Sequence, residues 1–253
     1  MRGLDYLSGV GKKPDSSIAL FVGPWAPSPL ADWVHVGESP APTRSHAGVY
    51  HRLEMKEDVT AFVLVGGKST RMGREKATLE LGGRTLLERA LKLASAVAAE
   101  ALIVGPRAEF ELYGRVVEDV YPGQGPLSGI HAALWASPTE LSLILAVDTP
   151  FLEERFLEYL MERARESGAV VTVPRTADGF HPLAAVYRRS FREIAERALE
   201  QGRNKIDALF AEVETRILEA AELQKFAFAP AIFENLNTPE DVERARQRLR
   251  EEA

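Results

Sequence analysis

The sequence contains no cysteine, and this absence removes several kinds of chemistry at once. Without a thiol the chain can form no disulfide, bind no metal through sulfur and use no cysteine nucleophile. No apolar run approaches the roughly 20 residues that a membrane-spanning helix requires. The N-terminal stretch also lacks the apolar core of a secretory signal peptide. These absences predict a soluble, cytoplasmic protein.

Positive charge is also scarce, because 37 acidic residues outnumber 31 lysines and arginines. The net charge of −6 is spread along the chain, and the sequence shows no basic face of the kind that nucleic-acid-binding proteins carry. A small anionic substrate remains compatible with this balance, since a local group of cations is enough to bind it. With 253 residues, of which 45% are hydrophobic, the chain can bury a sizeable core.

The first 55 residues differ from the rest of the chain. Residues 1–55 are rich in proline, glycine, serine and histidine, and they sustain neither a helical nor a strand period. Such a segment buries too little apolar surface to offset its ordering entropy. We interpret it as a disordered or spurious N-terminal extension, with Met55 as the alternative start, and we place the folded domain in residues 56–253.

From Val59 onward, predicted strands and helices alternate. The predicted strands are 59–65, 101–104, 116–117, 141–147, 169–173, 182–187 and 233–236, and the predicted helices are 86–97, 128–135, 152–164, 190–200, 206–210 and 239–249. This alternation implies parallel strand–helix–strand units, so we expect an α/β, Rossmann-like three-layer fold with a mostly parallel sheet. Ligands of such sheets bind at the carboxyl ends of the strands.

A glycine-rich segment, LVGGKSTRMGREK at 64–76, begins with the last two residues of the first predicted strand. The backbone N–H groups of Gly66 and Gly67 can face phosphate oxygens, and Arg71 and Lys76 add positive charge. The segment is not a P-loop, because Phe62 stands where that motif requires a glycine. The spacing of the dinucleotide-binding G-x-G-x-x-G motif is absent as well. The combination therefore predicts a site for a nucleoside triphosphate.

Two carboxylates stand at the ends of predicted strands. Asp148 follows the most apolar strand, where a charge is costly without a partner. Mg²⁺ would be a natural partner, since it takes oxygen ligands from one or two carboxylates and from substrate phosphates. The alternative is a helix N-cap, although Asp148 precedes the next predicted helix by several residues. Asp119 ends another strand, and the residues alone leave it open between a surface carboxylate and a ligand contact.

Four polar residues in the second half of the chain are candidate ligand contacts. Asn235 and Asn237 lie two positions apart along a predicted strand, so their side chains would face the same side. The alternative is a turn-and-cap cluster in which Thr238 caps the last helix. His181 lies between two predicted strands and Arg203 in a basic loop, and each is open between a structural and a binding role.

The run VLVGGKSTRMGREK resembles the signature of the molybdenum cofactor guanylyltransferase family, L-A-G-G-x-S-x-R-M-G-x-x-K. Three further stretches resemble family motifs, namely GPLSG at 125–129, DTP at 148–150 and NLNTPED at 235–241. The similarity spans about residues 59–249. Val65 departs from the usual alanine of the family. Gly105 stands where some members carry a polar residue that contacts the nucleotide.

The resemblance implies transfer of GMP from GTP to the molybdopterin cofactor, with release of pyrophosphate and with Mg²⁺ as cofactor. It implies catalytic roles for Arg71, Lys76 and Asp148, and Asp148 is also the implied metal ligand. The implied nucleotide contacts are Leu64, Val65, Gly66, Gly67, Lys76, Asp119 and Asp148, and the implied acceptor contacts are His181, Arg203, Asn235 and Asn237. Chaperones specific to molybdoenzymes are expected as further partners, whereas nucleic acid and membranes are not.

Alternative functions remain open at this point. A cytidylyltransferase that uses CTP on the same acceptor, or another small-molecule nucleotidyltransferase, would carry a similar loop, because the loop binds phosphates and does not choose the base. A nucleotide sensor or cofactor chaperone without catalysis is an alternative of a different class. Binding alone would not demand both Asp148 and Lys76, so the sequence favours an enzyme.

Overall fold

The computed structural model describes residues 56–65 and 76–251. The interpretation of residues 1–55, and that of the glycine-rich segment 66–75, lie outside the described residues. Within them, an eight-stranded sheet carries helices on both faces. This arrangement confirms the predicted three-layer α/β fold.

Most helices and strands follow one another in the order that the sequence predicts, with several additions and one predicted strand absent. The strands are β1 (Val59–Leu64), β2 (Glu80–Leu81), β3 (Arg84–Thr85), β4 (Glu100–Val104), β5 (Val116–Val117), β6 (Leu141–Ala146), β7 (Val171–Thr176), β8 (Gly179–Phe180), β9 (Ala184–Arg188) and β10 (Thr215–Glu219). The helices are α1 (Leu86–Val97), α2 (Arg107–Phe110), α3 (Pro126–Ala136), α4 (Glu154–Ser167), α5 (Phe191–Glu200), α6 (Ile206–Leu209), α7 (Ala220–Lys225) and α8 (Pro239–Glu251). Short 3₁₀ turns cover Lys76–Thr78, Phe210–Glu212 and Pro230–Phe233.

The sheet has the strand order β10-β7-β9-β6-β1-β4-β5, with β8 paired to β7. Strand β1 lies in parallel between β6 and β4. Strand β9 runs antiparallel to both of its neighbours, so the sheet is mixed but mostly parallel. The carboxyl ends of β1, β6 and β7 and the amino end of β9 therefore meet at one edge, which we call the carboxyl edge.

Strand β1 is buried on both faces, as its unbroken apolar run predicts. Val59, Ala61 and Val63 belong to the core layer that contains α1 and α4. Phe62 and Leu64 belong to the opposite layer, which contains α3 and α5. This alternation with a period of two fixes the register of the central strand between two helical layers.

Helix α3 approaches the carboxyl end of β1 very closely, because a glycine faces the strand. A Cβ atom on Gly129 would lie 2.9 Å from Cδ2 of Leu64. Gly125, directly before the helix, has a φ of +77°, which side chains rarely tolerate. The GPLSG stretch therefore sets both the start of α3 and its distance from the sheet.

The predicted strand at 233–236 is wrong. Residues Pro230–Phe233 form a 3₁₀ turn, and residues 234–237 adopt no regular structure. The backbone N–H of Leu236 donates to the carbonyl of Asp148 at 2.9 Å, which ties this segment to the loop after β6 instead of to a strand ladder. Asn235 and Asn237 therefore do not share a strand face.

Four strands were absent from the sequence prediction, namely β2, β3, β8 and β10. Strand β10 pairs in parallel with β7 at the sheet edge, and its charged residues weaken the apolar signal. The β2–β3 hairpin turns on Gly82 and Gly83, whose φ angles are +61° and +75°. A Gly-Gly pair between two short segments is a recognised hairpin signal, so this element was detectable.

A buried histidine stands in helix α3 without a polar partner. His131 is 2% exposed, and neither ring nitrogen has a hydrogen-bond partner within the described part of the chain. Its ring lies 5.2 Å from that of Tyr121 and 6.2 Å from that of Trp135. Burial lowers the pKa of His131, and the nearby carboxylate of Glu196 only partly opposes this effect.

We predict that His131 makes the fold less stable as the pH falls. Its pKa is lower in the folded chain than the ordinary value near 6.5, so the unfolded chain takes up a proton first and the free energy of unfolding drops below about pH 6.5. Urea unfolding at pH 7 and pH 5 should show a smaller loss for His131→Leu than for the wild type. Some loss should persist, because burial also lowers the pKa of His181.

The matched control is Trp135→Leu, which removes a neighbouring ring that does not titrate. This variant should keep the pH dependence of the wild type. If His131→Leu lost as much stability between the two pH values as the wild type, the histidine would not be the source.

Candidate active site

Three polar residues from distant parts of the sequence meet at the carboxyl edge. The Nζ atom of Lys76 donates to Oδ2 of Asp148 at 2.9 Å and to Oδ1 of Asn237 at 2.8 Å. The side chains of Lys76 and Asp148 are only 17% and 22% exposed. Because both are largely withdrawn from water, their attraction is stronger than that of a fully exposed ion pair. We call this group the lysine bridge.

Asp148 reaches the bridge because the chain continues past the end of β6. The N–H of Val147 donates to the carbonyl of Leu64 at 3.1 Å, which extends the pairing of β6 with β1 by one step. The hydroxyl of Thr149 then bonds to the carbonyl of Ala146 at 3.0 Å and turns the chain away. Helix α4 begins later, with Glu153 at its N-cap, so Asp148 is not a helix cap.

Asn237 reaches the bridge because a capping box fixes the start of α8. One carboxylate oxygen of Asp241 accepts the N–H groups of Asn237 and Thr238, each at 2.8 Å, and the Thr238 hydroxyl accepts the N–H of Asp241. These hydrogen bonds hold the pKa of Asp241 below its ordinary value. The alternative in which Thr238 caps the last helix is therefore correct, and this cap leaves the side chain of Asn237 available to Lys76.

Leu64 and Val65 stand where β1 leads into the glycine-rich segment. Each is 7% exposed, and their side chains pack in opposite core layers. The N–H of Val65 donates to the carbonyl of Val104 at 3.1 Å. Their proposed nucleotide contacts stay predictions. The same holds for Gly66, Gly67 and Arg71, which lie outside the described residues.

Asp119 follows β5, one strand beyond β4. Loss of hydration raises the pKa of its carboxyl, and the nearby hydroxyl of Ser128 in α3 partly opposes this shift. That hydroxyl donates to the carbonyl of Tyr121 at 2.7 Å. Strand β5 runs parallel to β4, so Asp119 also stands at the carboxyl edge, outside the lysine bridge.

The oxygen atoms at the lysine bridge suit a hard divalent cation. Asp148 contributes a carboxylate and Asn237 a side-chain carbonyl, and Mg²⁺ prefers oxygen ligands of these kinds. Among the described residues no group of three or more acidic or histidine side chains could hold a metal by itself. A single carboxylate with a carbonyl fits an ion that takes its remaining ligands from substrate phosphates and water.

A model of the MobA-like NTP transferase domain matches residues 61–216. The chain belongs to this family. A probable molybdenum cofactor guanylyltransferase from Pelotomaculum thermopropionicum is 36% identical over 74% of this chain and 91% of the relative. Another from Opitutus terrae is 38% identical over 74% of this chain and 94% of the relative. The molybdopterin-guanine dinucleotide biosynthesis protein A of Archaeoglobus fulgidus superposes with a TM-score of 0.67 at 30% identity, over 76% of this chain and 99% of that protein.

His181 of this MobA-like transferase lies at the carboxyl edge. His181 precedes β9, and the carbonyl of Leu183 accepts the N–H of Ala146 at 2.8 Å. The imidazole stacks on Phe233 at 4.3 Å and makes a 2.8 Å hydrogen bond with the hydroxyl of Thr176. Burial lowers the pKa of His181, which favours the neutral ring. The structural role is therefore evident, and the proposed acceptor contact stays a prediction.

Arg203 and Asn235 are not part of the bridge. The guanidinium of Arg203 forms an ion pair with Glu212 at 2.6 Å and also bonds to Gln201. This ion pair gives Arg203 a structural role that requires no ligand. Asn235 is exposed in the irregular segment before Leu236. The acceptor contacts proposed for Arg203 and Asn235 stay predictions.

Sequence reasoning overlooked the link between Val65 and Gly105. A Cβ atom on Gly105 would lie only 2.3 Å from Cγ2 of Val65, so these two residues accommodate one another. Both positions were noted separately as departures from the family pattern. The two departures are coupled by packing, because the side chain of Val65 occupies the space that a side chain at position 105 would need.

We predict that Gly105→Ala destabilises the fold by about 1–3 kcal/mol through overpacking against Val65. The double variant Val65→Ala/Gly105→Ala should recover most of that loss, because it removes the opposing methyl groups. Chemical unfolding of the wild type, both single variants and the double variant gives the coupling energy of the pair. Additive losses would show that the two positions do not interact.

Proposed function

We propose that this MobA-like transferase is a molybdenum cofactor guanylyltransferase. It transfers GMP from GTP to the molybdopterin cofactor, forming the guanine dinucleotide cofactor and pyrophosphate. The observation that carries the proposal is the lysine bridge at the carboxyl edge, within a chain whose relatives bear this name over nearly their whole length.

The reaction needs no nucleophile from the protein. An oxygen of the acceptor's terminal phosphate attacks the α-phosphorus of GTP, and the bond from that phosphorus to the bridging oxygen of the β-phosphate breaks. Pyrophosphate leaves with the electron pair of this bond. The protein contributes by positioning the reacting groups and by stabilising negative charge.

Lys76 is suited to hold the leaving phosphates. Its ammonium group has three N–H donors, and two of them are committed to Asp148 and Asn237. Those two bonds fix the direction of the third donor before any substrate binds. Arg71, Gly66 and Gly67 would complete the phosphate site from the preceding loop, with Leu64, Val65 and Asp119 nearer the nucleoside.

We propose Mg²⁺ as the cofactor, held by Asp148. Lys76 bonds to Oδ2 of this carboxylate, which leaves Oδ1 for the ion. When bound, the ion would neutralise charge on the phosphates. Asn237 offers a further oxygen beside it, and His181, Arg203 and Asn235 remain proposed contacts of the acceptor.

GTP is the proposed donor because the relatives and the archaeal structure bear guanine-nucleotide names. The cytidylyl alternative is not favoured by them. No helix in the described ranges has the length and hydropathy to cross a bilayer. We place the reaction in the cytoplasm, and chaperones of molybdoenzymes as recipients of the product remain an expectation.

A pyrophosphate-release assay with each of the four nucleoside triphosphates tests the proposal. With the molybdenum-bearing pterin acceptor and Mg²⁺, we expect release from GTP and little from CTP, ATP or UTP. The reaction without acceptor is the control, and it should release none. Efficient release from CTP, or no release from any triphosphate, would contradict the assignment.

We predict that Asp148→Asn and Lys76→Gln each lower turnover with GTP by about 100-fold or more. Lys76→Gln removes a cation that faces the phosphates, and Asp148→Asn removes the carboxylate that would hold Mg²⁺. Asp148→Asn should also abolish the dependence of turnover on Mg²⁺ concentration. Far-UV circular dichroism should show a retained fold in both. The control is Asp58→Asn, which breaks an ion pair with Arg165 elsewhere. It should keep its activity, and near-normal turnover of Lys76→Gln would contradict the role of the bridge.

A further inference from the structure

A groove with three basic side chains opens between helix α1 and the loop after β6. Arg84, Arg89 and Lys92 line it on one side, and Thr149 and Pro150 line it on the other. Its volume is about 250 Å³, and its apolar lining includes Leu86, Leu93, Val147 and Leu152. We call it the basic groove.

The guanidinium of Arg89 is held in place before any ligand arrives. Its Nε donates to the carbonyl of Leu81 at 2.7 Å. Its Nη2 lies 2.6 Å from where a Cβ atom on Gly82 would stand, so the group rests on the turn of the β2–β3 hairpin. A fixed guanidinium loses less conformational entropy when it binds an oxyanion than a free one does.

The positive charges of the basic groove outnumber the carboxylates that line it. In the described ranges no carboxylate forms an ion pair with Arg84, Arg89 or Lys92, whereas several other arginines there pair with glutamates, among them Arg115, Arg175 and Arg203. Glu154 lines the same groove but has an interaction of its own. Three cations therefore face one carboxylate.

The two arginines of the basic groove stand close enough to repel one another. Partial burial lowers the pKa of Arg89 from its ordinary value, and the charge of Arg84 lowers it further. Like charges held together with fewer counter-charges destabilise the empty groove, and an anion with several oxygens would relieve this repulsion.

We propose that the basic groove is a second oxyanion site, which takes a phosphate group independently of the triphosphate site. Arg84 and Arg89 supply paired N–H donors of the geometry that phosphate oxygens accept, and Lys92 adds a point charge. Thr149 and Pro150 connect this groove directly to Asp148 in the lysine bridge. The proposal does not depend on which nucleotide the lysine bridge serves.

Calorimetry on the full chain tests the second site. With Mg²⁺ in constant excess and a non-hydrolysable GTP analogue at saturation, we expect inorganic pyrophosphate to bind with a stoichiometry of one. Arg84→Gln/Lys92→Gln should weaken this binding by about tenfold or more, as expected for the loss of charge-assisted contacts. A parallel titration with inorganic phosphate distinguishes a diphosphate site from a site for a single phosphate group.

The matched control is Arg115→Gln/Lys225→Gln, which removes the same two charges from other surfaces and should bind as the wild type does. No heat from either anion in the wild type, or equal weakening in the control, would overturn the proposal. If the analogue itself failed to bind, the proposed function would be at fault, and the anion titration without analogue would still report on the basic groove.

Discussion

One ammonium group joins the parts of this molecule that carry its chemistry. Lys76 follows the glycine-rich segment, Asp148 follows β6 and Asn237 precedes α8, and the two hydrogen bonds of Lys76 bring these three segments together. The pairing of β6 with β1 fixes the position of Asp148, which follows the end of β6. The segment that carries Asn237 is held by the bond from the N–H of Leu236 to the carbonyl of Asp148, together with the stacking of Phe233 on His181.

The antiparallel strand β9 completes that edge in a way that a wholly parallel sheet would not. It enters where its neighbours end, so His181 and Leu183 stand beside the carboxyl end of β6. The ring of Phe233 stacks on His181, which packs the segment before Asn237 against the same place. The loops that follow the parallel strands and the loop that precedes β9 therefore lie together at the carboxyl edge.

Local patterns in the sequence predicted the central strands, because β1 and β6 are apolar without interruption and are buried on both faces. They also predicted chemical roles for Lys76 and Asp148, whereas the role of Asn237 came mainly from the family resemblance. They failed at residues 234–237, where a buried Leu236 between two exposed asparagines imitates the alternation of a strand. They did not reveal the direction of β9, since an antiparallel strand has the same apolar content as a parallel one. The partner of Arg203 was also hidden, because Glu212 lies beyond the reach of local spacing.

The lysine bridge also lowers the desolvation free energy of keeping charged side chains in the site while no polyanion is bound. An isolated carboxylate or ammonium at this depth would lose hydration without compensation, whereas each charge here partly satisfies the other. Neither partner is fully buried, so the pair stays accessible to solvent and to a ligand. In the proposed reaction a triphosphate brings several negative charges toward the third donor of Lys76. The bridge thus holds the cation in position before the phosphates arrive.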